Sequence, residues 1–245
     1  MLKAAGVTDR PGLLHGTRVR FPTEIAPLMP TFIRRADLMP PYEDVFFTYC
    51  LKQVAVGDRV FDVGAHFGLL SLLLSHAVGP SGSVVSLEPN WKSAGIFRRL
   101  MAANRADNVT LVEKAIGAEP GFVEFNLDDV FSSVSSGNGA SGATSKVEMT
   151  TVDRVVADTG IQPRVMKVDV EGFELSVFEG ARETLSHVDL VFCEVHPQKM
   201  REAAGTSPER LFAVLEAAGL ALDKPFYPLK HVLDPGRPYN VVFRR

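Results

Sequence analysis

Arg59-Val60-Phe61-Asp62-Val63-Gly64-Ala65-His66-Phe67-Gly68, followed by Leu69-Leu70-Ser71-Leu72-Leu73-Leu74, is the stretch that decides the fold. Val60, Phe61 and Val63 suit a central buried strand, and the leucine-rich run after Gly68 suits the helix that follows it. Gly64 lets the chain bend sharply where the strand ends, and Gly68 lets the helix start lie close to the sheet. Asp62 falls at the strand's C-terminal end, where open α/β sheets bind their ligands. A carboxylate buried there without a partner is costly, so it should have a task.

The spacing D-x-G-x-x-x-G is neither the G-x-G-x-x-G of dinucleotide binders nor the G-x-x-x-x-G-K-[ST] of nucleoside triphosphatases. No lysine follows Gly68, so there is no triphosphate clamp. The remaining ligand type is nucleoside-like, with a cationic amine for Asp62 and a carboxylate near the helix N-terminus. S-adenosylmethionine (SAM) fits that description. An ordinary α/β turn with an incidental Asp is the alternative reading of this motif alone.

Outward from this stretch, the same grammar repeats. Ser83 to Leu87 reads as the second strand and ends in Glu88-Pro89-Asn90. An acidic residue at that strand tip matches the two hydroxyls of a ribose. Lys92 to Asn104 reads as a helix, and Val109 to Ile116 as a third strand whose end borders the adenine. Gly121–Asn126 and Lys146–Thr151 alternate like a β-hairpin, with a polar loop, Phe131 to Gly142, between them. Val165 to Val168 form the fourth strand, closed by Asp169, and a helix follows with Glu171 in its first turn. The next strand, Val188 to Pro197, places Glu194 and His196 on one side by period-2 alternation. A helix over Pro208–Ala218 precedes a final antiparallel pair, Leu220–Phe226 and Tyr239–Phe243. Upstream, prolines interrupt residues 1–40, which read as an irregular, apolar arm carrying Arg18, Arg20, Arg34 and Arg35. A helix over Tyr42–Val54 then leads to the organising strand.

The 245 residues suffice for one α/β domain with a sizeable core. A net charge of −3 leaves no footprint for nucleic acid or an anionic membrane. Two cysteines, Cys50 and Cys193, suggest neither a disulfide framework nor a zinc knuckle. The N-terminus lacks a signal-peptide pattern and no apolar run reaches membrane-span length, which points to a cytoplasmic protein.

Four blocks together resemble the FkbM family of SAM-dependent methyltransferases. They are Phe61-Asp62-Val63-Gly64-Ala65-His66-Phe67-Gly68, Glu88-Pro89-Asn90, Met166-Lys167-Val168-Asp169-Val170-Glu171-Gly172-Phe173-Glu174 and Glu194-Val195-His196-Pro197. The resemblance implies a class I methyltransferase (Rossmann-like) fold: a seven-stranded, mostly parallel sheet with a terminal antiparallel hairpin. It covers roughly residues 55–200; the chain as a whole reads as an arm and helix over 1–54, packed on the core as lid or dimer contact, and a methyltransferase domain over 55–245. By the same resemblance, Asp62, Gly64, Ala65 and Gly68 line the methionine part of SAM. Glu88 holds the ribose, Asn90 and Ala115 lie near the adenosine, and Asp169 sits below the methyl group. His66, in the glycine loop, is a further candidate for contact.

The resemblance implies methyl transfer, most often to a hydroxyl oxygen of a natural product or sugar. An aliphatic hydroxyl needs a general base, and His196 and Asp169 are the candidates. A secondary reading puts Mg²⁺ on Asp169, Glu194 and His196, where it would lower the hydroxyl's pKa. A small-molecule hydroxyl acceptor is the expected partner, with a homodimer open. The alternatives are an N-methyltransferase, a catalytically silent SAM-binding module and a nicotinamide-dependent oxidoreductase.

Overall fold

A computed structural model of the chain describes residues 10–14, 16–22, 41–126, 144–225 and 237–245. The mobile polar loop expected within 131–142, and most of the arm upstream of residue 41, lie outside these residues.

The organising strand is β3 (Arg59–Val63), which follows a hairpin β1 (Arg10–Leu14) and β2 (Thr17–Phe21) and a helix α1 (Pro41–Gln53). After it come α2 (Leu69–Val78), β4 (Ser83–Leu87), α3 (Trp91–Asn104) and β5 (Val109–Val112). Next are the short β6 (Ala115–Ile116), β7 (Gly121–Asn126), β8 (Thr144–Thr150) and α4 (Val152–Thr159). The C-terminal half holds β9 (Val165–Val168), α5 (Glu174–Glu179), α6 (Arg182–Leu185) and β10 (Leu190–Val195). The chain closes with α7 (Pro197–Ala204), α8 (Pro208–Ala217), β11 (Ala221–Pro225) and β12 (Tyr239–Arg244).

Seven strands form the main sheet in the order β11-β12-β10-β9-β3-β4-β5. β12 runs antiparallel to both neighbours, and the pairs from β10 to β5 are parallel. This is the class I methyltransferase arrangement. Residues alternate across the sheet: Phe61, Val63, Met166 and Val168 pack on the α4–α8 side, whereas Val60, Val84, Val165 and Phe192 pack toward α1 and α2. Asp62 and Lys167 are in-register neighbours on that second face, at the end where the strands stop. Helices cover both faces, so even these polar residues at the strand tips are enclosed.

Three expectations need correction. The arm is not wholly irregular: Gly16, at φ 78°, turns β1 back into the β2 strand. Val19 and Phe21 bury against Phe97, Leu100 and Met101, and Asn104 hydrogen-bonds both backbone groups of Arg20. The third strand is not continuous to Ile116. It breaks at Glu113–Lys114, and Ala115–Ile116 joins β8 and β7 in a separate three-stranded sheet. Apolar alternation cannot report such a change of partner. Glu171 is not in a helix: it has φ 57° in a turn, and α5 starts at Glu174. Among the described residues, no helix is long and apolar enough to cross a membrane.

Candidate active site

The strand tips of β3, β4, β9 and β10 converge at one edge of the sheet. The β3–α2 loop is tied to β4 by its own backbone, since the Gly64 and Ala65 N–H groups both donate to the Leu87 carbonyl. Gly64 has φ 81°, and a Cβ there would lie 1.8 Å from the Asp169 carbonyl oxygen. Gly68 has φ 84°, and a Cβ there would lie 2.4 Å from the Phe97 ring. Both glycines therefore answer to close backbone and ring approach. His66 has φ 52°, with its ring stacked on Phe67 at 3.7 Å.

Glu88 organises this half. The His66 N–H donates to its Oε2 at 2.8 Å and the Asn90 N–H donates to its Oε1 at 2.8 Å. Each oxygen keeps a further lone pair, which suits the paired hydroxyls of a ribose. Burial pushes the Glu88 carboxyl up to about 7 against the pull of those two N–H groups. Asn90 caps α3, accepting the Lys92 N–H at 2.9 Å. Ala115 is buried on β6.

Asp62 is completely enclosed. Its Oδ2 accepts the Ser71 hydroxyl at 2.5 Å, and Ser71 in turn accepts from Ser86 at 2.9 Å. Its Oδ1 lies 3.3 Å from Lys167 Nζ. Oδ2 is thus taken by Ser71, while Oδ1 has the Lys167 charge nearby but accepts no hydrogen bond.

On the other half, His196 is the buried residue between the end of β10 and the start of α7. Its Nδ1–H donates to Glu174 Oε1 at 2.8 Å, and that oxygen also accepts the Gly172 N–H at 2.8 Å. The other ring nitrogen, Nε2, stands 3.3 Å from Glu171 Oε2 and 3.9 Å from Asp169 Oδ1. Burial works against a charged ring, but the Glu174 hydrogen bond and the charges of Glu174, Asp169 and Glu194 outweigh it. The His196 value is raised to about 9. The Glu174 carboxylate fixes one imidazole nitrogen and leaves the other between Glu171 and Asp169.

The fold thus brings His196 and Asp169 together, with Gly64 against the Asp169 backbone. The metal reading changes in composition. Among the described residues, the group whose donor atoms all lie within 4.8 Å of one another is Asp169, Glu171 and His196, without Glu194. Lys199 pairs with Glu171, Lys167 lies 3.4 Å from Asp169, and the carboxylates favour a protonated His196. Cations of the chain already balance this acidic set.

Two groups escape the sequence reading. They are Glu174 and Glu171. In the fold Glu174 holds His196, and Lys167 is held by Asp62, Gly64 and Asp169. Glu174 lies 22 residues from His196, and no local pattern announces that pairing.

The family model described as the FkbM methyltransferase domain matches residues 62–220. The chain belongs to the FkbM methyltransferase family. It is a SAM-dependent methyltransferase. This FkbM methyltransferase is 26% identical over 180 residues to the hexuronic acid methyltransferase AglP of Haloferax volcanii, covering 71% of this chain and 67% of that protein. In fold it is similar to the fibrillarin of Aeropyrum pernix solved with natively bound SAM. The TM-score is 0.51 at 12% identity, with 98% of this chain and 84% of that chain covered.

Proposed function

We propose that this FkbM methyltransferase methylates a hydroxyl oxygen of a sugar or sugar-bearing small molecule, with His196 as the general base. The observation that carries this reading is the buried Glu174–His196 pair, whose Nε2 lies at the strand tips between Glu171 and Asp169. The hexuronic acid methyltransferase relative supports a sugar acceptor.

SAM supplies a methyl group on a sulfonium, a good leaving group. The chain's part is to position, to exclude water and to take a proton. Gly64 to Gly68 and Glu88 form the cofactor side, with Glu88 offering its remaining lone pairs to the ribose. Asp169 and His196 line the acceptor side. His196 Nε2 removes the hydroxyl proton as the oxygen becomes nucleophilic, and Glu174 stabilises the imidazolium that results.

A base with a value near 9 is mostly protonated at pH 7, so only its minor free fraction acts. Below that value the rate should rise about tenfold per pH unit, then level off. The test is transfer of labelled methyl from SAM to a panel of uronic acid glycosides, neutral glycosides and amino sugars, from pH 6 to pH 10. O-methylated sugar with that rising profile supports the proposal. Methylation confined to the amino group, or a rate flat across this range, contradicts it.

A further inference from the structure

Lys167 is a charged residue set in the centre of the main sheet, on β9 between β3 and β10, and only 8% exposed. A buried ammonium is costly unless every hydrogen finds an acceptor. Lys167 donates to the Gly64 carbonyl at 2.9 Å and stands between two carboxylates, Asp62 Oδ1 at 3.3 Å and Asp169 Oδ2 at 3.4 Å. Burial disfavours its charge, yet Asp62, Asp169 and Glu194 hold it protonated, above the usual lysine range. It is thus a fixed cation and neither a base nor a nucleophile.

Its partners belong to both halves of the site. Gly64 and Asp62 set the β3–α2 loop, and Asp169 stands before His196. The Gly64 Cα already abuts the Asp169 carbonyl, so a shift on either side is felt on the other. We propose that Lys167 is a positioning residue that locks the cofactor loop to the acceptor-side carboxylate, so that one buried ammonium sets the geometry of both.

This inference rests on the functional reading above for the roles of the two halves, but its test needs no acceptor. Lys167→Met keeps the aliphatic stem and removes the charge. Two quantities are read in the full-length protein: S-adenosylhomocysteine affinity by calorimetry, and the His196 imidazole titration by NMR. The groups facing that ring are Glu174 from α5, Asp169 and Glu171 from the β9–α5 turn, with Lys199 on Glu171, and Glu194 from β10. Without Lys167, the negative charge of Asp169 is left for His196 alone, so the imidazole midpoint should rise by about half a pH unit or more. Affinity should fall at least about tenfold, because the loop loses the donor on Gly64. Lys167→Arg, which keeps the charge, should return the midpoint toward wild type.

A residue that only supports the fold would lower the unfolding temperature and leave the imidazole midpoint in place. If Lys167→Met does not fold, the charge-balanced pair Asp62→Asn/Lys167→Met is measured instead, with the same two expectations. Wild-type affinity or an unmoved midpoint in the folded variant overturns the proposal. Failure of the wild type to bind S-adenosylhomocysteine would instead remove the functional reading beneath it.

Discussion

At the tips of β3 and β4 the chain presents mostly backbone, held in place by one carboxylate. Glu88 accepts two N–H groups, Leu87 accepts two more, and the glycines let main chain lie against main chain. At the tips of β9 and β10 the chain presents charged side chains instead. Asp169, Glu171, Glu174 and His196 crowd together with Lys167 and Lys199 around them. The first region suits a ligand with a constant shape. The second suits a step in which a proton moves, since closely packed ionisable groups set where it goes. Lys167 touches both, which is why the two regions are separable in chemistry but not in mechanics.

The largest effect expected from breaking this division is on rate. His196→Ala should lower methyl transfer about 100- to 10,000-fold, the range of a lost general base, and leave S-adenosylhomocysteine affinity unchanged. An equal loss of affinity in a binding titration would show that the halves are not distinct.

A smaller effect, on stability, comes from the seam between them. Gly64→Ala forces a side chain into a left-handed backbone and onto the Asp169 carbonyl oxygen at 1.8 Å. Backbone cannot move aside as a side chain can, so the cost should exceed about 3 kcal/mol in denaturant unfolding. A cost below about 1 kcal/mol would mean the loop and β9 are not in contact.

The same contrast explains what could be read from the sequence. The β3–α2 loop is local: strand, turn and helix start are contiguous, so Val60 to Gly68 and the Glu88 tip are legible from spacing alone. The parallel core is legible too, because Val165 to Val168 and Leu190 to Val195 are apolar runs interrupted only by Lys167 and Glu194. The acceptor side depends on where distant segments meet. Glu174 reaches His196 only because α5 and α7 start at neighbouring strand tips, and Glu171 enters only because its turn precedes the helix. The β5–β6 break was hidden for a similar reason, since Ala115 and Ile116 suit either sheet. Asp62 was legible as a residue with a task, but its partner Lys167 lies on another strand, and pairing across a sheet leaves no local mark.

The central claim is that Glu88 and the glycine loop hold SAM. The most direct measurement is calorimetric titration of the protein with S-adenosylhomocysteine at pH 8, above the Glu88 value of about 7, so that its carboxylate is ionised. It is repeated on Glu88→Ala. The account predicts micromolar binding that falls by at least about tenfold in the variant, as two ribose hydrogen bonds and the hold on the loop are lost. Unchanged affinity in a folded Glu88→Ala protein would contradict it.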